Sequence, residues 1–139
     1  MGVNVKTNAR GQRDRDIPYE RTPGVMRIAM VGDSLTMGWG VAHGEMFSKR
    51  VDKMYNDAGT KAEVVNLGVG NWNTVQEVQY FLTKGHQYKP DIVVLNYFVN
   101  DAEPTPWYAK EGNGGFTYWN AAFLFHGPLT LKEGETLAK

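Results

Sequence analysis

Cysteine is missing from all 139 residues, which excludes disulfides, a thiolate nucleophile and Cys-ligated zinc. A chain without cysteine suits either redox setting, so its compartment is left unspecified. An excess of one charge is missing too, because 15 Lys and Arg offset 15 Asp and Glu. That removes the whole-chain electrostatic case for nucleic acid or an anionic membrane as a partner. No run of about 18 apolar residues occurs, so no membrane span is expected. Met1 to Arg21 is polar and lacks the apolar core of a signal peptide. A Walker A lysine and a G-x-G-x-x-G are absent, which counts against a nucleotide or flavin binder. The histidines and carboxylates show no metal-ligand spacing.

What is present is the composition of one folded domain, 42% apolar, 22% charged and 12% aromatic. Residues 1–24 are rich in Arg, Asp, Asn, Gly and Pro and read as an extended polar arm. The alternating charges from Arg10 to Arg15 read as a solvated cluster. The domain proper is expected over residues 25–139.

Arg27 to Val31, Glu63 to Leu67 and Asp91 to Tyr97 are short apolar runs of strand type, the first two closed by Gly32 and Gly68. Between the first two, Phe47, Val51, Met54, Tyr55 and Ala58 fall on one face of a helix that Gly59 ends. Between the second and third, Thr74 reads as an N-cap with Glu77 closing a capping box. That helix turns Val75, Val78, Phe81 and Leu82 inward and stops at Gly85. The order β-α-β-α-β implies parallel strands, right-handed crossovers and a sheet covered on both faces. The fold class is therefore α/β. From Ala102 onward prolines and glycines dominate, with Tyr118 to Phe125 as one short helix or strand and no strand–helix pair after Phe125.

In an open parallel sheet, chemistry gathers beyond the carboxyl ends of the strands. Here those ends read Gly32-Asp33-Ser34, then Gly68-Val69-Gly70-Asn71, then Phe98-Val99-Asn100-Asp101. They bring a hydroxyl nucleophile, a glycine backbone N–H and a side-chain amide to one edge. An acyl-transfer site needs those parts, a nucleophile and donors aimed at a developing oxyanion. Singly, each is also an ordinary turn or helix cap. Trp39, Trp72, Trp107 and Trp119 serve equally as packing. Alternatively, Trp39 and Trp72 line an acyl or sugar pocket.

Ile28 to Gly38, containing Gly32-Asp33-Ser34-Leu35, resembles the first block of the SGNH, or GDSL, hydrolase family. Asn66-Leu67-Gly68-Val69-Gly70-Asn71 is similar to its second block, and Pro90 to Asp101 to its third. The polar Asn8 to Asp16 is similar to the lead-in of some bacterial members, so the likeness spans roughly residues 8 to 106. The resemblance implies a flavodoxin-like α/β/α sandwich and a carboxylic ester hydrolase of acyl or acetyl esterase or lipase type. It implies Ser34 as nucleophile, and the Ser34 N–H, Gly70 N–H and Asn100 amide as oxyanion donors. It implies no metal or organic cofactor, and a small-molecule or carbohydrate ester as substrate. Phe98 departs from the family's Gly-x-Asn-Asp pattern, and spacing favours Gly70 over Gly68 as donor. The family's Asp-x-x-His, which carries the base, is absent. Gly40, Thr83 and Phe123 stand three residues before His43, His86 and His126, and no Asp follows Asp101. The expectation is a C-terminally incomplete domain, inactive alone, that self-associates through an uncovered sheet edge. The other reading is a non-catalytic module that binds an ester or carbohydrate.

Overall fold

The computed structural model describes residues 3–102 and three further strands at 107–110, 116–119 and 129–131. Three parallel strands, β1 (Met26–Gly32), β2 (Ala62–Gly68) and β3 (Ile92–Asn96), form a sheet in the order β2-β1-β3. A four-residue helix α1 (Ser34–Met37) follows β1 directly, and α2 (Phe47–Asp57) leads to β2. After β2 comes α3 (Thr74–Thr83), then a 3₁₀ turn at Gly85–Tyr88 and β3. The α/β class and the strand–helix alternation read from the sequence are those of the molecule.

Because successive strand residues face opposite sides, β1 supplies two cores at once. Ile28 and Met30 pack with Val64 beneath Phe47 and Val51 of α2. Ala29 and Val31 pack with Val65, Leu67 and Tyr88 beneath Tyr80 and Phe81 of α3. The result is a helix–sheet–helix sandwich.

Three expectations need correction. The sheet is not covered on both faces along β3, where Ile92, Val93 and Leu95 are exposed among the described residues. The inward faces of the helices are narrower than periodicity predicted, since Met54, Tyr55 and Ala58 of the first and Val75, Val78 and Leu82 of the second are exposed. The cap of α3 is Asn73, whose side chain accepts from Gln76 N–H, while Gln76 returns a bond to the Asn73 N–H. Asn73-Thr74-Val75-Gln76 satisfies the same N-terminal requirement one residue earlier, which frees Glu77 for burial.

Of the Arg10 to Arg15 cluster expected to be solvated, Gln12, Arg13 and Asp14 are buried, while Arg10 and Arg15 are exposed. Asp14 bonds the ammonium of Lys49 and accepts the Asn66 N–H at 2.8 Å. Gln12 accepts from the Tyr88 hydroxyl at 2.8 Å. These charges are buried because each finds a partner far along the chain, which a local reading cannot see.

Beyond residue 102, β4 (Trp107–Lys110), β5 (Phe116–Trp119) and β6 (Leu129–Leu131) pair antiparallel in that order. The segment expected from Tyr118 thus begins inside a strand, and a strand also lies past Phe125. Among the described residues no helix is long and apolar enough to cross a membrane.

Candidate active site

The sheet register sets the site. Gly32 of β1 lies opposite Gly68 of β2 on one side and Asn96 of β3 on the other. The three strands therefore end level, and the segments that follow them leave from one edge.

Ser34 is the first residue of α1, held there by its neighbour. The Asp33 side chain accepts the Leu35 N–H at 2.9 Å, the N-cap bond of the helix. Its other oxygen accepts the Ser34 hydroxyl at 3.3 Å. As a first-turn residue, Ser34 has no intrahelical acceptor for its own N–H. Its side chain is half-buried at the mouth of the edge.

The far end of α1 is closed by Gly38 in the left-handed region, with φ 83°. Arg13 then binds its loose carbonyls. Its guanidinium donates to Gly38 O, to Val41 O at 2.6 Å and to Met37 O at 3.4 Å. From the other side, Asn66 Nδ2 donates to Thr36 O at 2.9 Å and to Ser48 Oγ at 3.2 Å. The helix carrying Ser34 is thus fixed by a residue from the N-terminal arm and one from β2. Sequence reading missed Arg13. Its signal, a charge alternation, is shared with solvated clusters.

At the second strand end, the two glycines differ. A Cβ on Gly68 would lie 2.2 Å from Met37 N and 2.5 Å from Thr36 C, so β2 passes beneath α1 only without a side chain there. Its N–H bonds Asn66 Oδ1 at 2.9 Å. A Cβ on Gly70 would meet only the Met37 side chain, at 3.7 Å. The next N–H, of Val69, donates to Gly32 O at 3.0 Å. The Gly70 N–H has no acceptor among the described residues. Gly68 is the structural glycine, and Gly70 has the free donor.

The third end turns through a 3₁₀ segment, Val99–Ala102, that holds the Asn100 backbone. Asp101 Oδ2 accepts the Phe98 N–H at 2.6 Å and closes that turn. The Asn100 side chain and His126 lie outside the described residues. His43 is exposed in a 3₁₀ turn, beside a polar pocket of the N-terminal arm with Asn4, Lys6 and Asp16. Among the described residues no histidine bonds Ser34. Trp39 is 71% exposed. Trp72 stacks edge-to-face on Tyr80 at 5.3 Å and lines a shallow groove on α3.

Burial, then the charges of Asp101 and Asp33, push the Glu77 carboxyl up to about 7. Asp101 is raised as well, by burial and by Asp33, against the lowering bond from Phe98.

Residues 30–122 match the sequence model of the GDSL-like Lipase/Acylhydrolase family. Among solved structures, a mutant of Esterase AlinE4 is 25% identical with a TM-score of 0.50, covering 58% of this chain and 44% of its own. This chain therefore spans less than half the length of that esterase. No curated protein matches it.

Proposed function

The chain belongs to the GDSL-like lipase/acylhydrolase family, and from that premise we propose that it cleaves carboxylic esters with Ser34 as the nucleophile. Ser34 Oγ attacks the acyl carbon and its proton leaves to a base. The carbonyl oxygen takes the negative charge and is received by the Ser34 N–H, the Gly70 N–H and the Asn100 amide. The alcohol departs, and water then releases the acyl group from Ser34. Asp33 orients the hydroxyl while capping the helix. Exposed Leu35 and Trp39 follow the first strand end and exposed Phe98 and Val99 the third, apolar side chains of a kind suited to an acyl chain.

The observation that carries this reading is a half-buried serine at a helix start, with a free glycine N–H leaving the same sheet edge. The 139 residues contain no Asp-x-x-His. On this reading the base and its orienting carboxylate are those that an Asp-x-x-His block would carry. The missing Asp-x-x-His favours the second reading, a module that binds an ester or carbohydrate without cleaving it.

Hydrolysis of p-nitrophenyl acetate separates the two. The chain is assayed alone and after fusion to a segment of a family member carrying Asp-x-x-His. Alone, turnover is expected to be lower by about 10⁶-fold than in a complete triad. In the fusion, turnover should appear, vanish in Ser34→Ala and fall about 10²–10³-fold in Asn100→Ala. A folded fusion that binds ester without turnover supports the binding module. Turnover that survives Ser34→Ala rules out Ser34 as nucleophile.

A further inference from the structure

Behind the strand ends lies a set of acidic side chains that the hydrolytic reading leaves largely unused. Asp33 follows β1, Glu77 lies in the first turn of α3, and Asp101 sits in the turn after β3. Asp33 and Glu77 are 1% exposed and Asp101 is 4% exposed. Asp33 and Asp101 each accept a backbone N–H, from Leu35 and Phe98. Glu77 differs, because among the described residues both of its buried oxygens lack a partner, as does Asp101 Oδ1.

An ionised carboxylate buried without a partner is strongly disfavoured. The charges acting on Glu77 are Asp101 and Asp33, both of its own sign. On the 3₁₀ turn packed against α3, His86 is exposed and the Tyr88 hydroxyl is bound to Gln12. Among the described residues no set of acidic and histidine side chains is arranged to hold a metal ion. Among the described residues, a proton is the remaining means of relieving the charge.

We propose that Glu77 is a positioning residue, buried as a neutral carboxylic acid whose proton lets the ends of β1 and β3 close against the first turn of α3. Ser34 and Asn100 are each one residue from the carboxylates whose charges act on Glu77. When Glu77 ionises, its proton passes to water and a third negative charge enters the same unsolvated space. The segments bearing Ser34 and Asn100 then separate. The consequence for ester cleavage rests on the hydrolase reading, whereas the proton on Glu77 does not.

Solution NMR of the 139-residue chain, labelled with ¹³C at the glutamate carboxyls, reads this directly between pH 4 and 9. One resonance, assigned to Glu77 through its backbone, is expected to titrate near 7, and it should be missing in Glu77→Gln. The Leu35 and Phe98 amides should shift with the same midpoint in the parent and hold still in Glu77→Gln. A Glu77 that titrates near 4.5 overturns the proposal. So do amides that ignore its titration. The parent titration decides the question even if Glu77→Gln does not fold. Neither readout involves turnover, so failure of the Asp-x-x-His fusion to cleave esters would count against the hydrolase reading alone.

Discussion

A single methyl group separates the roles of the two glycines after β2. Gly68→Ala drives a Cβ into the backbone of α1, which cannot yield as a side-chain tip can. Overpacking of that kind costs about 1–3 kcal/mol, so the denaturant midpoint should fall. Gly70→Ala meets only a flexible methionine, so stability should stay within about 0.5 kcal/mol of the parent and the midpoint should hardly move. Equal losses from both would show that the β2–α1 approach is not tight. Glu77 makes a second residue-scale prediction. Its folded carboxyl titrates above the unfolded value, so the folded state holds the extra proton. Stability is then full below pH 4.5 and declines as pH rises through about 7, by about 3 kcal/mol in total. Thermal melts of the parent should slope downward across that window relative to Glu77→Gln. Parallel curves would contradict it.

At the scale of elements, α1 is too short to hold itself together. Four residues give almost no internal helical bonding, so its ends decide whether it exists. Asp33 satisfies one end, and Gly38 with Arg13 the other. Arg13→Met keeps the apolar stem but removes the charged donor to Met37, Gly38 and Val41. Hydrogen bonds from charged groups contribute about 1.5–3 kcal/mol. A loss of that size is expected in urea unfolding, with faster amide exchange at Trp39, whose N–H bonds Ser34 O at 2.9 Å. If exchange at Trp39 is unchanged, the arm does not fix the helix that carries Ser34.

Across the whole molecule, coverage of the sheet is uneven. β1 is central and buried, whereas β3 pairs only with β1 and exposes Ile92, Val93 and Leu95 among the described residues. An open strand with apolar faces is a template for association. We expect the chain to self-associate at micromolar concentration, seen as a concentration-dependent sedimentation coefficient. Val93→Lys should shift it toward the monomer. A monomer at all concentrations would mean that β3 is shielded.

The sequence by itself determined what depends on neighbours close in the chain. Runs such as Ile28 to Val31 and Ile92 to Leu95 specify strands through apolar and β-branched content, and glycines mark where they end. Three strands alternating with helices imply a parallel sheet, and a parallel sheet sends Ser34, Gly70 and Asn100 from one edge. Tertiary structure alone decided which polar groups went inside. Arg13 reaches carbonyls 24 to 28 residues away, and Asp14 an amide 52 residues away. Glu77 was legible as a helix-start residue, yet its burial and its acidic neighbours come from two other strand ends. Burial of a charge depends on partners brought together by the fold, and no local periodicity encodes them.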